Sequence, residues 1–286
     1  MNNIIVYGIK RTGTSLMMEM VGKSGEYTIH KDEKLENSPF YKDVQDYYNE
    51  GIFTAGITKE NIAEYKKLKN HAIKIMHRGI SNTDIEIIKD FRKIIFMNRY
   101  WVSQSISSTK MSVNVARENH EKIKHKIDSL EEYFSDVRID DGVEYAYHYS
   151  TFILDLVKRG YQEKLIVVNF EELLSNPEST IKFLAGEGID IKPGESLISK
   201  KQTKNGIIDK NTLKEFHPGF FDFLDKLYIC IRDGNIGNEI LDLIKKWIPL
   251  LTTNIKEREI RVYNKYQIIF SEWMEKEIEK LEKSNP

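Results

Sequence analysis

Four apolar β-formers run into a glycine-bounded loop, and the loop runs into an apolar helical pattern: Ile4-Ile5-Val6-Tyr7-Gly8-Ile9-Lys10-Arg11-Thr12-Gly13-Thr14-Ser15-Leu16-Met17. No other stretch limits the fold as strongly. A strand–loop–helix unit of this kind aims successive backbone N–H groups, and the positive end of the helix, at one anion. Gly8 and Gly13 let the backbone turn sharply and approach that anion closely. The sequence therefore predicts a phosphate cradle at the end of a buried strand.

The spacing nearly fits the Walker A loop, G-x-x-x-x-G-K-[ST]. Gly8, Gly13 and Ser15 match, but Thr14 occupies the lysine position. That lysine reaches the β- and γ-phosphates in ATP- and GTP-using enzymes. The cations here are Lys10 and Arg11, at the loop tip. The loop suits a single phosphate, with positive charge held over whatever is attached to it.

Gly8-x-x-Arg11-Thr12-Gly13-Thr14-Ser15-Leu16-Met17 resembles the 5′-phosphosulfate-binding loop of the sulfotransferases, in its bacterial-type arginine form. That family uses 3′-phosphoadenosine 5′-phosphosulfate (PAPS) as co-substrate and releases adenosine 3′,5′-bisphosphate (PAP). The resemblance implies that Lys10, Arg11, Thr12, Gly13, Thr14 and Ser15 bind the donor, with Arg11 facing the sulfuryl group and Lys10 nearby. Lys10 stands where many members have proline, and Thr12 where serine is common.

The rest of the chain reads as alternating strands and helices. Strands are expected over 72–76, 93–98 and 165–169, short and nearly all apolar, as parallel strands buried on both faces are. The helix after the loop should stop near Gly22 or Gly25. A polar stretch over 27–56 reads as loop with short elements. Its Asn-Pro-aromatic-acid run, at Asn37 to Asp43, is similar to one that follows the first helix in bacterial sulfotransferases. Further helices are expected over 58–69, over 83–91 with Asn82 as cap, and over 100–134. Asp140-Asp141-Gly142 should break that pattern before a helix over 143–159. Pro177 suits the first position of a helix running to about 187.

Strand–helix alternation implies an α/β fold, a P-loop-like parallel sheet flanked by helices on both faces. Residues 1–210 read as a sulfotransferase-like nucleotide-binding domain. Residues 211–286 read as a helical C-terminal extension, with helices over 219–231, 238–247 and 257–282, packed on the core or on a partner. The last, amphipathic helix leaves a homo-oligomer open.

The second half of a donor site is expected at the end of the 93–98 strand. Arg99 is followed eight residues later by Ser107. With a helix starting soon after Arg99, both can face a ligand above the strand's C-terminal edge, where open α/β sheets bind ligands. Arginine offers a fork for a phosphate and serine a neutral donor. Sulfotransferases hold the 3′-phosphate of PAPS with an arginine and a serine at this spacing, so the resemblance gives those roles to Arg99 and Ser107. Tyr100-Trp101 replaces the family's usual Asp-Pro. Two further segments resemble the family. One is the strand–acid–leucine–Asn-Pro run over 165–189. The other, a looser match, is the 73–79 strand end with Lys74 and Arg78.

The resemblance also implies a general base about twenty residues past the arginine. That count reaches Asp32 and Glu33, with Glu36 and His30 as alternatives. Lys200 and Lys201 could close a basic lid over the nucleotide. No metal-ligand cluster stands out in the sequence. With 43 basic and 44 acidic residues the net charge is −1, without the basic excess expected of a nucleic-acid binder. One cysteine, Cys230, fits a reducing compartment. No apolar run approaches the roughly 20 residues of a membrane span. A cytoplasmic enzyme acting on a small-molecule or carbohydrate acceptor is expected. The rival readings are a P-loop nucleotide kinase or NTPase, and a non-catalytic nucleotide binder with the same fold.

Overall fold

The computed structural model describes residues 2–30, 65, 67–76, 85–105, 107–108, 130–193 and 219–256. Five strands form one parallel sheet: β1 (Ile4–Gly8), β2 (Thr28–Ile29), β3 (His71–Met76), β4 (Lys93–Asn98) and β5 (Leu165–Asn169), in the order β2-β3-β1-β4-β5. The chain first builds to one side of β1 and then crosses to build the other. The loops after β1 and β4 therefore leave adjacent strands at the point where the sheet order reverses, the usual ligand crevice of such sheets.

Side-chain alternation along the strands divides the core in two. Ile4 and Val6 of β1, with Ile95 and Met97 of β4, face one cluster under α1 (Thr14–Ser24). Ile5 and Tyr7, with Ile94 and Phe96, face the other. Buried parallel strands need apolar residues on both faces, which is why these segments read as unbroken hydrophobic runs. The helix α1 ends where Gly25, at φ 81°, takes the left-handed conformation a helix C-cap favours.

A long helix, α2 (Leu130–Arg159), covers the second face. It runs unbroken through Asp140-Asp141-Gly142, so the expected break there is corrected. The reason is packing. A Cβ on Gly142 would lie 3.3 Å from Leu224 Cδ1 and 4.0 Å from Trp101 Cε3. The glycine is a close-approach point between helices, and tertiary contact overrides its low helix propensity.

After β5 come α3 (Phe170–Ser175) and α4 (Pro177–Gly186). Pro177 opens α4, and Asn176 Oδ1 accepts the Ser179 N–H at 3.3 Å. The helix α5 (Phe220–Arg232) and a final described helix, α6, over 238–256 complete the second face. Phe220, Phe223, Leu224, Leu227 and Ile231 are all buried in the same cluster as Tyr7 and Phe96. Each such side chain contributes about 1.5–3 kcal/mol on burial. Residues 219–256 are thus part of the main core, and α6 runs past the expected end at 247.

Other expectations differ in detail. Residues 85–90 form a 3₁₀ helix, Ile85–Asp90. Residues 101–105 and 107–108 are helical. The short strand β2 falls in the stretch read as loop with short elements. Most of the 58–69 helix, Asn82, residues 109–129 and the 257–282 helix lie outside the described residues.

Replacing Gly142 by leucine should drive a side chain into Leu224 and Trp101. The expected loss is about 1–3 kcal/mol of stability, read as a lower urea midpoint at unchanged slope.

Candidate active site

The loop from Gly8 to Gly13 is held in one conformation from several sides. A Cβ on Gly8 would sit 2.5 Å from Thr12 Oγ1. Gly13 has φ 92°, and a Cβ there would meet Phe170 Cδ2 at 2.3 Å. A side chain at either position would force its neighbours to move, and at Gly13 the positive φ would strain it as well. Between them Arg11 also has positive φ, 67°, a conformation that costs a non-glycine residue roughly 1 kcal/mol or more. Its neighbours hold it there. Thr12 Oγ1 donates to the Ile9 carbonyl at 2.8 Å. Gln104 Nε2, from the helical segment after β4, donates to the Lys10 carbonyl at 3.0 Å. Arg99 Nη1 donates to the Arg11 carbonyl at 2.8 Å.

Arg99 and Ser107 were paired by spacing and by the family resemblance, and the structure brings both to the loop. Arg11 Nε donates to Ser107 Oγ at 3.1 Å. The Arg99 guanidinium lies 4.4 Å above the centre of the Phe170 ring. The same ring closes over Gly13, so Phe170 joins the two halves of the site. It was not singled out in the sequence.

Lys74, named above in the looser strand-end resemblance without a role, also reaches the loop. The alternation of β3 places it on the α1 face of the sheet, paired in register with Val6. It is 5% exposed, and its Nζ donates to Ser15 Oγ at 2.8 Å. A lysine inside an otherwise apolar strand was the available signal. Burial, reinforced by the Arg11 charge, lowers its pKa to about 8. Burial likewise lowers that of Arg99 to about 10, with Glu171 opposing the shift and Arg11 adding to it.

Three side chains expected at the donor site are engaged within the protein. Lys10 turns its ammonium to Glu144 on α2, with Nζ 3.2 Å from Oε2 of a carboxylate only 2% exposed. Thr12 is fully buried, so what it offers a ligand is backbone. Thr14, in the slot of the Walker lysine, is 4% exposed, and its hydroxyl faces Met76 Sδ at 3.7 Å. The strand ends that would carry a Walker B aspartate carry Asn98 and Asn169, hydrogen-bonded to each other at 3.2 Å.

Under the loop, Tyr149 of α2 donates to the Met97 carbonyl and faces Thr12 and the Ile9 backbone. Tyr145 donates to Asn98 Oδ1 at 2.8 Å. Tyr100-Trp101, the departure from the family's Asp-Pro, has its own partner. Tyr100 Oη and Trp101 Nε1 both donate to Asp225 Oδ1, at 3.2 and 2.8 Å, and tie this segment to α5.

His30 follows β2, and its N–H donates to the Ala72 carbonyl at 3.0 Å. Ala72 is level with Ile4, four residues below Gly8 in the parallel register, or roughly 13 Å at strand rise. Its ring packs on Tyr65, with centroids 5.0 Å apart. The structure does not bring His30 to the loop. Asp32, Glu33, Glu36, Lys200 and Lys201 lie outside the described residues.

Arg11 raises the electrostatic cost of both Lys74 and Arg99, and the Glu171 carboxylate offsets part of it at Arg99. Arg99 Nε is buried and makes no hydrogen bond. The first turn of α1 holds no acidic residue, and no side chain caps it. This arrangement fits a phosphorylated anion: charge, backbone donors and a helix N-terminus converge, and an orphaned guanidinium N–H adds a further donor.

Comparison with known proteins shows the family of the chain. The Sulfotransferase domain family model matches residues 1–195, more than half of the 286-residue chain. No curated protein matches the chain. Among solved structures, a sulfotransferase from Alicyclobacillus acidocaldarius is similar at 14% identity, over 82% of this chain and 94% of that chain, with a TM-score of 0.37. A likeness that distant carries no argument about this chain. Among the described residues no helix is long and apolar enough to cross a membrane.

Lys74 supplies a pH test. Its lowered pKa means that folding disfavours its charged form. That cost is full below about pH 8 and fades as pH rises towards the unfolded value of 10.5. A phosphate bound beside it favours the charged form, so binding takes up a proton above pH 8. The dissociation constant of adenosine 3′,5′-bisphosphate should rise with pH from about 8, by at most about tenfold per unit. Lys74→Met should flatten that limb in a calorimetric titration series.

Proposed function

We propose that this chain, which belongs to the sulfotransferase domain family of PAPS-dependent transferases, moves a sulfuryl group to a hydroxyl or amine of a small-molecule or carbohydrate acceptor, using the bacterial-type arginine loop. The observation that carries this reading is the run of contacts Arg99–Arg11–Ser107, which ties the phosphate loop to the arginine–serine pair eight residues apart.

In this reading the loop amides from Arg11 to Ser15 and the N-terminus of α1 hold the 5′-phosphate. The Ser15 hydroxyl and Lys74 add donors at its floor. Arg99 and Ser107 take the 3′-phosphate. When bound, PAPS supplies the sulfuryl group and PAP is the leaving product. The acceptor oxygen or nitrogen forms its bond to sulfur as the bond from sulfur to the 5′-phosphate oxygen breaks. Such a transfer depends on in-line positioning and on stabilising charge at the leaving oxygen.

Arg11 carries that second task, since its fixed left-handed backbone presents the guanidinium beyond the cradle. Lys10, paired with Glu144, holds the loop tip. The acceptor's proton goes to Asp32 or Glu33. Lys200 and Lys201 are assigned to the nucleotide's open side. The kinase reading lacks its lysine and its strand-end acid.

Arg11→Ala should lower kcat for acceptor-dependent release of PAP by about 100-fold or more. The PAP dissociation constant should stay within about threefold, because the lost interaction is made mainly in the transition state. Arg11→Lys should recover part of the rate. Undiminished turnover in Arg11→Ala would sink the assignment.

A further inference from the structure

The acid of the strand–acid–leucine run, Glu171, has so far been given no chemistry. It stands one residue after Phe170, at the end of β5 and the start of α3. Its Oε1 accepts the backbone N–H of Tyr100 at 3.1 Å. Tyr100 follows Arg99 directly and opens the helical segment that carries Gln104 and Ser107. One carboxylate oxygen therefore pins the junction between the residue over Phe170 and the segment that holds Ser107.

The same carboxylate acts on Arg99. Its charge favours the guanidinium against the burial that disfavours it. Burial in turn pushes the Glu171 carboxyl up, the Tyr100 N–H and Arg99 opposing that shift. The second oxygen, Oε2, is buried and makes no hydrogen bond among the described residues. The fold thus keeps an incompletely satisfied carboxylate beside an anion site, where by charge alone it would weaken anion binding. A group held at a cost needs a compensating role.

We infer that Glu171 is a positioning residue for the 3′-phosphate half of the donor site, acting through the Tyr100 N–H on the placement of Arg99 and Ser107. The inference rests on the donor-site reading above. It differs in sign from a purely electrostatic view. If Glu171 acts only by charge, removing it strengthens binding of every anion. If it acts by position, removing it weakens only ligands that carry a 3′-phosphate.

The test is calorimetric titration of adenosine 3′,5′-bisphosphate and of adenosine 5′-phosphate, which lacks the 3′-phosphate, on the full chain. Glu171→Ala should lose about tenfold in affinity for the bisphosphate, the size of one charge-assisted contact. Its affinity for the monophosphate should stay within about twofold. Glu171→Gln keeps an acceptor oxygen for the Tyr100 N–H and should retain most of the preference. Glu171→Asp keeps the charge but withdraws the oxygen, and should lose the preference even if the alanine variant does not fold.

Tighter or unchanged bisphosphate binding in the alanine variant overturns the inference. So does a preference kept by aspartate and lost by glutamine, or a parallel loss of both ligands. If the wild type shows no preference for the bisphosphate, the donor-site reading itself fails and this inference falls with it, an outcome visible before any variant is made.

Discussion

Repulsion of Arg11 against Lys74 on one side and Arg99 on the other is the constraint around which the site is built. Burial disfavours the charged forms of Lys74 and Arg99, and Arg11 adds to that cost. A fold keeps such a cluster only if its scaffold over-determines the positions, because like charges would otherwise move apart into water. The scaffold here does so through backbone carbonyls. Arg99 donates to the Arg11 carbonyl, Gln104 to that of Lys10, and Thr12 to that of Ile9. With these carbonyls engaged inside the protein, the N–H groups of the loop and of the first turn of α1 are what it offers a ligand beside Arg11, Lys74 and Arg99. Field and donors then act on the same point, the arrangement that binds phosphate and stabilises a transferring group.

The rest of the molecule serves that geometry. The cluster under α1 fixes the direction of the helix that meets the ligand with its N-terminus. The opposite cluster brings α2 and α5 across the sheet. From α2 come Tyr149 and Tyr145, which hold the ends of the strands, and Glu144, which takes Lys10. From α5 comes Asp225, which anchors the Tyr100-Trp101 step after Arg99. Phe170 is shared by the loop and by Arg99. A change far along the chain, in 219–256, can therefore reach the donor site through packing.

Local patterns were legible in the sequence and long-range partners were not. β4 and β5 match their expected bounds because a buried parallel strand is a continuous apolar run with polar ends. The loop was legible because two glycines and a cation pair at fixed offsets leave few alternatives. Arg99 and Ser107 could be paired by helical spacing, but their contact with Arg11 depends on β1 and β4 being neighbours. Lys74 was visible as a lysine within an apolar strand and through the looser resemblance of the 73–79 strand end, but neither gave it a partner. Phe170, Gln104, Glu144 and Tyr149 carry no local mark, since each acts through a residue at least sixty positions away or in another element. Gly142 misled because its reason lies in Leu224 and Trp101, and the carboxylate partner of Lys10 was not legible because it is more than a hundred residues distant.

The central claim is that the loop and Arg99 form one site for a nucleotide phosphorylated at both its 3′ and 5′ positions. The most direct measurement is calorimetric titration of adenosine 3′,5′-bisphosphate beside ADP and ATP, on the wild type and on Arg99→Ala. The account predicts that the wild type binds the bisphosphate far more tightly than ADP or ATP and that Arg99→Ala removes the difference. Binding of ATP as tight as that of the bisphosphate, or an Arg99→Ala variant indistinguishable from the wild type, would contradict it.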